Sequence, residues 1–221
     1  MKKDEDLFVL VGTQQSPIHI RKEQTYQIPK TVTFSDSWTN ISGYFDGESE
    51  KRVFKVEEGS NIEIGPHTAQ LIQIHFHQPS EHKIDERVFD AEMHFVHQIV
   101  GDSGERDVFE PSGLVVLGVT MSIQEGVSKE AIGLLELFFD MKIQDQKKFP
   151  EEISKQIPVL KDLFYYRDSL TSAPYTENVT WLLFKNSIAV SKEVVERIGD
   201  VEQETRPVQY LNRRFVLRNF D

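Results

Sequence analysis

The chain contains many short runs in which apolar and polar residues alternate with a period of two. This alternation is typical of β-strands, whose successive side chains point to opposite faces of a sheet. Turn residues separate many of the runs, for example at Gly65-Pro66, at 101–104 and at Lys185-Asn186. The pattern predicts strands at residues 52–56, 61–64, 71–77, 91–98, 114–122, 179–185, 188–190 and 215–218.

Two segments instead show the longer period of an α-helix. Ser128 is a candidate N-cap for a helix that extends to Phe139, and Ser191 for a shorter helix that Gly199 would end. Residues 114–117 are apolar on both faces, which favours a central position in a sheet. These features predict a mainly β fold: one domain around a large, twisted, mostly antiparallel central sheet with a few short peripheral helices.

Three histidines on two of the predicted strands have a spacing that suits a catalytic zinc site. Gln73, His75 and His77 share one face of the strand 71–77, and His94 lies on the strand 91–98 with Glu92 and Val96 on its own face. The opposite face of the first strand is predicted to be apolar, with Ile72, Ile74 and Phe76. Three neutral imidazoles with an open fourth position form the arrangement that zinc uses to activate water.

Gln73 and Glu92 each precede one of these histidines by two residues on the same face. A metal-bound histidine usually donates its other ring N–H to such a group, which fixes its tautomer. Alternation alone describes any half-solvated strand, and a pair of histidines is a weak signal for a metal. However, the chain has seven histidines and five lie between His75 and His97, which favours the metal site.

Composition excludes several classes of partner. With 221 residues and 38% hydrophobic content, the chain suits one large β-rich domain or two small ones. A net charge of −11 argues against nucleic acid and anionic membranes. There is no cysteine, hence no disulfide and no thiolate zinc site. No segment approaches the roughly 20 apolar residues that cross a bilayer.

The compartment stays open. Residues 7–11 are too short for the core of a signal peptide, and the lack of cysteine fits a cytosolic protein. The chain as written is expected to be soluble and cytoplasmic, whereas a signal peptide that had been removed would place it in the periplasm or outside the cell.

The motifs around the histidines resemble the α-class carbonic anhydrases. They are QIHFH at 73–77, SEH at 80–82 and EMHFVH at 92–97. Further similar elements are QSPI at 15–18, GLVVLG at 113–118, SLTSAP at 169–174 with VTW at 179–181, and RPVQ at 206–209. The resemblance runs roughly from residue 15 to residue 220, and the short segment between His77 and His94 looks more like bacterial members.

This resemblance implies a zinc lyase that reversibly hydrates CO₂ to bicarbonate and a proton, by attack of zinc-bound hydroxide. His75, His77 and His94 would bind one Zn²⁺ per chain, with Gln73 and Glu92 orienting His75 and His94.

Thr171 would accept a hydrogen bond from the hydroxide and pass its own proton toward Glu81, and Ser172 would help to hold bicarbonate. An apolar wall for CO₂ would consist of Val96, Val116, Leu170, Val179 and Trp181. His82 and His97 are interpreted as structural, and His19 is given no role.

Several positions depart from the family pattern. Ser60 occupies the place of a histidine that carries protons to solvent, and a hydroxyl does not titrate near neutral pH. Slow proton export with rescue by imidazole buffers is therefore predicted, with His67 as an alternative shuttle. Asp168 replaces a glycine before the Thr171 loop, and Ala173 replaces the first of two prolines.

Other departures lie outside this loop. Glu204 replaces an asparagine before the RPVQ element, and Glu63 adds a negative charge near the predicted mouth of the site. Residues 1–14 are interpreted as an N-terminal extension that lacks the aromatic segment of the family. Residues 15–221 are predicted to form a single catalytic domain.

Two other functions stay open. One is a binding or structural protein that keeps the carbonic anhydrase fold with little catalysis, although this chain retains the three histidines, Thr171 and Glu81. The other is an esterase-like hydrolase that uses the same zinc hydroxide. No G-x-S-x-G motif is present, which argues against a separate serine nucleophile. The expected partners are CO₂ and bicarbonate, without nucleic acid or membrane, and a homodimer is possible.

Overall fold

The computed structural model describes residues 12–29, 32–46, 53–58, 60–100, 113–126, 147–200 and 205–221. Strands dominate these segments: β1 (His19–Ile20), β2 (Tyr26–Gln27), β3 (Val32–Phe34), β4 (Ser42–Asp46), β5 (Val53–Glu58), β6 (Asn61–Ile64), β7 (His67–His77), β8 (Lys83–Ile84), β9 (Arg87–Val88), β10 (Ala91–Val100), β11 (Leu114–Ile123), β12 (Lys147–Lys148), β13 (Leu163–Asp168), β14 (Val179–Phe184), β15 (Ile188–Val190) and β16 (Leu217–Arg218). The α-helices of the described part are α1 (Glu151–Gln156) and α2 (Lys192–Gly199), and 3₁₀ turns cover Lys22–Gln24, Asp36–Thr39 and Ile157–Val159. In this part of the chain, no helix has the length and apolar character needed to cross a membrane.

One large mixed sheet holds most of these strands, in the order β12-β4-β5-β7-β10-β11-β14-β13-β16-β2. The strand β15 also pairs with β11, and β3 and β6 join through β7, while β1, β8 and β9 form a small separate sheet. Pairings in the large sheet are mostly antiparallel, with β11–β14, β11–β15 and β16–β2 parallel. The predicted mainly β fold with a large twisted sheet is confirmed.

The predicted strands are all present, and β6 and β15 have the predicted bounds. The strand β7 begins earlier than predicted, and β16 is shorter. The pattern did not predict β13 or the helix α1. The predicted helix 128–139 lies outside the described residues.

The predicted short helix after Ser191 is confirmed, with Ser191 as its N-cap residue and its end at Gly199. Gly199 is the final residue of α2, and Asp200 is the C-cap, whose N–H bonds to the carbonyl of Glu196 at 3.0 Å. A Cβ atom at Gly199 would lie 2.8 Å from the side-chain oxygen of Gln78. A side chain at this position would therefore require only the flexible end of Gln78 to move aside.

The sheet separates two apolar clusters. The larger one contains Trp38, Phe54, Phe95 and Val115, all fully buried. The second contains Val96, Val116, Phe164, Val179 and Trp181, among others. Neighbouring residues of β10 and β11 belong to opposite clusters because side chains alternate across a strand. The predicted central position of residues 114–117 is confirmed by β11, which lies between β10 and β14.

A bulge in β7 corrects the predicted faces of this strand. The register with β10 passes from Gln73 directly to Leu71, so that Ile72 is an extra residue. Leu71 and Ile74 belong to the larger cluster, whereas Ile72 packs against the second one. The prediction that Ile72 shares a face with Ile74 and Phe76 is therefore wrong, because the bulge shifts the alternation by one residue.

Candidate metal centre

The register of β7 against β10 brings three histidines together. His75 and His94 are direct cross-strand partners, and His77 stands opposite Glu92. One donor nitrogen of each histidine lies within 4.8 Å of the others, and His94 Nδ1 is 3.2 Å from His75 Nε2. His77 and His94 are buried and His75 is half-buried. The three histidines of the sequence prediction therefore form one cluster on central strands.

This cluster fits a tetrahedral divalent metal. Metal–nitrogen bonds of about 2.0 Å would place ligand atoms about 3.3 Å apart, close to the spacing of His75 and His94. The donors are neutral imidazoles without a carboxylate among them, a set that favours zinc over magnesium or calcium. Position on two hydrogen-bonded strands also fixes the ligands before a metal binds.

Glu92 connects two histidines inside the protein. Its Oε1 is 2.9 Å from His94 Nε2 and 2.6 Å from His82 Nδ1, and its Oε2 accepts the backbone N–H of His82 at 2.8 Å. Burial by itself raises the pKa of Glu92, but the charges and hydrogen bonds of His82 and His94 outweigh it and hold this pKa well below the usual range. A carboxylate acceptor selects the Nε2–H tautomer of His94, which leaves Nδ1 as the metal donor.

His82 extends this network away from the metal cluster. It is fully buried, and its Nε2 contacts the hydroxyl of Tyr166, which in turn is 3.4 Å from the Ser16 hydroxyl. The structural role expected for His82 agrees with these contacts. Tyr166 was missed by the sequence analysis because it lies on β13, a strand that the alternation pattern did not predict.

The contact of Gln73 differs from the expected one. Its Oε1 accepts a hydrogen bond from Lys55 Nζ at 3.2 Å, because Lys55 is its cross-strand neighbour on β5. Gln73 still shares a strand face with His75, two residues away. The orienting role of Gln73 toward His75 stays a prediction, whereas Glu92 lies at hydrogen-bonding distance from His94.

Thr171 and Glu81 meet beside the histidines. The Glu81 carboxylate accepts a hydrogen bond from the backbone N–H of Arg206 at 3.1 Å, and the nearby Thr171 side chain acts to lower the pKa of this carboxylate. Its Oε2 is 3.4 Å from His77 Nε2. Burial raises the pKa of Glu81, although the charge of His94 and the two hydrogen bonds act in the opposite direction. Thr171 and Glu81 are therefore neighbours in the structure, and their catalytic pairing stays a prediction.

The five residues of the predicted apolar wall belong together. All are members of the second apolar cluster or pack against it: Val96, Val116, Leu170, Val179 and Trp181. The ring of Trp181 lies 4.9 Å from that of His94 and donates its Nε1–H to the Ser169 carbonyl at 3.0 Å. Ser172 is half-buried in the same loop as Thr171.

The other histidines lie away from the cluster. His67 begins β7, eight residues before His75 and about 26 Å from it along the strand, which excludes it as a substitute proton shuttle. His97 is buried on the opposite side of the sheet, stacked on Trp38 with ring centroids 5.6 Å apart. His19 contacts the backbone of Asp85 in the small sheet.

Two departures from the family pattern have a clear placement. Ser60 is fully buried, and its carbonyl accepts the Leu71 N–H at 3.0 Å, so its hydroxyl does not face solvent. Glu63 is exposed on β6. Glu204 lies outside the part of the chain that the structure describes.

Comparison with known proteins decides the family. A profile of eukaryotic-type carbonic anhydrases matches residues 5–220. The chain belongs to this family. Its members are lyases that hydrate CO₂, which confirms the predicted enzyme class.

Relatives show the same family in both sequence and structure. Mitochondrial carbonic anhydrase 5B of Rattus norvegicus is 30% identical over 246 aligned positions, covering 96% of this chain and 75% of that protein. A carbonic anhydrase of Nostoc is 32% identical over 168 positions, covering 73% of this chain and 58% of that protein. The α-carbonic anhydrase of Thermovibrio ammonificans, solved with the inhibitor sulfanilamide, has a TM-score of 0.74 and 27% identity and covers 96% of this chain and 89% of that one. The α-carbonic anhydrase of Photobacterium profundum shares the fold, with a TM-score of 0.73 and 23% identity, and the match covers 94% of this chain and 90% of that one.

Proposed function

We propose that this carbonic anhydrase binds one Zn²⁺ through His75, His77 and His94 and hydrates CO₂ with it. The observation that carries the proposal is the convergence of three neutral nitrogen donors within 4.8 Å, next to the Thr171–Glu81 pair. A zinc ion in such a site acidifies its bound water and supplies hydroxide near neutral pH, chemistry for which carbonic anhydrases themselves are the standard example. Residues of the chain are proposed to orient the nucleophile and to receive CO₂.

Thr171 and Glu81 are proposed to orient the nucleophile. In this proposal the Thr171 hydroxyl donates its proton to the neighbouring Glu81 carboxylate, which leaves the Thr171 oxygen as a hydrogen-bond acceptor toward the site. Such an acceptor fixes the direction in which the attacking oxygen presents its lone pair, which is a positioning effect. The backbone N–H of Arg206 holds Glu81 in place for this task.

The second apolar cluster is proposed to receive CO₂. Val96, Val116 and Trp181 are almost fully buried there: Val96 shares β10 with His94, Val116 lies on the neighbouring β11, and the Trp181 ring on β14 is 4.9 Å from the His94 ring. A small apolar substrate is better accommodated by such a wall than water is. Ser172 at the edge of the loop is proposed to bind the bicarbonate product.

Proton export is proposed to be the slow step. The buried Ser60 hydroxyl does not titrate near neutral pH, and among the described histidines none outside the metal cluster lies at the mouth of the site. Protons must then leave through buffer that enters the cleft. Turnover is therefore expected to rise with the concentration of an imidazole buffer.

The organisation of the chain is proposed to follow the sequence prediction. Residues 15–221 would form one catalytic domain, and this is supported by the pairing of its two ends, where Gln209 N–H bonds to the Pro17 carbonyl at 2.7 Å. A homodimer and the cellular compartment stay predictions.

The test is stopped-flow CO₂ hydration on protein of known metal content, with and without imidazole buffer. The matched variants are His94→Ala in the cluster and His19→Ala outside it. Zinc near one per chain, a rate that rises with imidazole, loss of activity in His94→Ala and full activity in His19→Ala are expected. Bound zinc without hydration at any buffer concentration would instead support the alternative of a binding or structural protein. A fast rate that does not depend on buffer would contradict the proposed slow proton export.

A further inference from the structure

We propose that a buried ion pair between Asp168 and Arg214 positions the loop that carries Thr171. Asp168 is the last residue of β13, three residues before Thr171, and occupies a place where the family resemblance implies glycine. Both side chains are almost completely removed from solvent, with 0% exposure for Asp168 and 5% for Arg214. This inference rests on the proposed function, because the pair acts through Thr171.

The Asp168 carboxylate joins the end of β13 to the C-terminal segment. Its Oδ1 accepts the backbone N–H of Ser169 at 2.8 Å, and its Oδ2 forms the ion pair with Nη1 of Arg214. The first contact fixes the direction in which the chain leaves the strand. The second fixes the carboxylate itself, because a buried charge is tolerated only when a partner compensates it.

Arg214 is a rigid anchor for this carboxylate. Its Nε donates to the Leu211 carbonyl at 2.7 Å, both Nη atoms donate to the Gln15 carbonyl at 3.2 Å, and Nη2 also donates to the Tyr210 carbonyl. Every nitrogen of the guanidinium therefore donates to a backbone carbonyl, and the ion pair with Asp168 adds a further contact of Nη1. A planar guanidinium held by this many hydrogen bonds has a fixed position, and the ion pair therefore restrains the loop that begins at Asp168.

The constraint continues toward Thr171 through Ser169. The Ser169 hydroxyl accepts the Ser16 N–H at 3.0 Å and donates to the Leu170 carbonyl at 2.7 Å, while the Ser169 carbonyl accepts Trp181 Nε1–H. The Leu170 N–H bonds to the Thr176 carbonyl at 3.1 Å. The backbone is therefore fixed on both sides up to the residue before Thr171.

A purely structural role is the alternative, in which the ion pair only attaches the C-terminal segment. The two roles differ in their dependence on the Thr171 hydroxyl. If the pair positions this hydroxyl, removing the pair has no further effect on catalysis once the hydroxyl is gone. If the pair only stabilises the fold, its removal has the same effect with or without Thr171.

The experiment compares Asp168→Asn in the wild-type chain and in a Thr171→Ala background. A matched control is Asp162→Asn, at the opposite end of β13, where Asp162 pairs with Lys185 Nζ at 3.3 Å on the surface. We expect Asp168→Asn to lower kcat/KM for CO₂ hydration about tenfold in the wild type, since small misplacements of catalytic groups have large effects. In the Thr171→Ala background, less than about a twofold change is expected, and Asp162→Asn should leave the rate unchanged.

A second measurement does not depend on activity. Native-state hydrogen exchange should show faster exchange of the Leu170 and Thr171 amides in Asp168→Asn, with no change in Asp162→Asn. Asp168→Glu, which keeps the charge, should restore protection in part. If Asp168→Asn does not fold, the double variant with Arg214→Met removes both charges together and is used in the same two backgrounds.

The outcomes separate this inference from the function on which it rests. An equal loss of rate in both backgrounds, or a folded Asp168→Asn protein with unchanged rate and exchange, overturns the positioning role alone. A wild-type protein without hydration, or a Thr171→Ala variant as fast as the wild type, overturns the proposed function and the positioning role with it.

Discussion

Two buried carboxyl groups near the metal cluster have opposite pKa shifts. Burial raises the pKa of Glu81, and the nearby charge and hydrogen bonds do not overcome this effect. Glu92 is buried at least as deeply, but it lies between His82 and His94, and its pKa falls well below the usual range. The charges of the two adjacent histidines, helped by their hydrogen bonds, therefore lower the pKa of Glu92 in spite of its burial, whereas Glu81 lacks such a pair of neighbours.

At the residue scale, Glu92→Gln is expected to weaken metal binding about 10- to 100-fold. A neutral amide holds the Nε2–H of His94 less strongly, so the Nδ1 donor is less well oriented and less basic. Competition with a chelator measures the metal Kd. The control is Glu86→Gln at an exposed position, which should leave the metal Kd unchanged. An unchanged Kd in Glu92→Gln would contradict the role of the Glu92–His94 contact.

His97 gives a second prediction at this scale, which concerns stability and pH. Burial lowers its pKa from 6.5 to about 3, although the backbone carbonyls of Val115 and Phe95 act in the opposite direction. Between these two values the unfolded chain binds a proton that the folded chain does not. The stabilising contribution is therefore complete above pH 6.5 and decreases as the pH falls, by about 1.4 kcal/mol per pH unit.

The measurement is the free energy of unfolding in urea at a series of pH values from 7 to 4.5. A His97→Phe variant should show a slope against pH that approaches one proton less below pH 6.5, which integrates to about 2.3 kcal/mol between pH 6.5 and 4.5. The same slope in both proteins would show that His97 becomes protonated without unfolding.

At the scale of elements, the sheet depends on close approach of β4 to β5. A Cβ atom on Gly43 would lie 1.9 Å from the backbone oxygen of Lys55, next to a register shift between Ser42 and Gly43. The same strand β5 places Lys55 beside Gln73 on the face of the metal cluster. A disturbance at this pairing therefore reaches the site through two neighbouring strands.

Gly43→Ala is accordingly expected to lower the free energy of unfolding by about 2 kcal/mol, because backbone cannot move aside as a flexible side chain can. Ser42→Ala, one residue away, should change it by less than about 0.5 kcal/mol. Urea unfolding monitored by tryptophan fluorescence gives both values. Equal effects of the two substitutions would contradict the close approach.

At the scale of the whole molecule, folding and metal binding are expected to be separable. The two apolar clusters contain most of the buried side chains, and the metal cluster occupies only one face of the sheet. The metal-free chain should therefore keep its sheet. Because the three histidines are arranged only in the folded state, metal stabilises that state by mass action.

Zinc at about a thousand times its Kd should stabilise the folded protein by about 4 kcal/mol, or raise Tm by roughly 10 °C. Calorimetry with and without chelator measures the shift. The shift should disappear in His94→Ala and persist in His19→Ala. A chain that loses its far-UV circular dichroism on chelation would show that the sheet itself depends on the metal.

The sequence by itself determined the features that follow from local periodicity. Alternation along 71–77 placed His75 and His77 on one face of their strand, alternation along 91–98 placed His94 on a face with Glu92 and Val96, and the motifs around them identified the family. These predictions succeed because a strand repeats every two residues and because the ligands lie close together in the sequence.

Tertiary structure alone decided contacts between distant segments and breaks in the local pattern. The bulge that turns Ile72 toward the second cluster depends on the partner strand β10, and burial of Ser60 depends on its pairing with Leu71. Asp168 and Arg214 meet although they are far apart in the chain, and neither shows a periodic signal. Such pairings depend on how whole strands assemble, which the alternation of neighbouring residues does not encode.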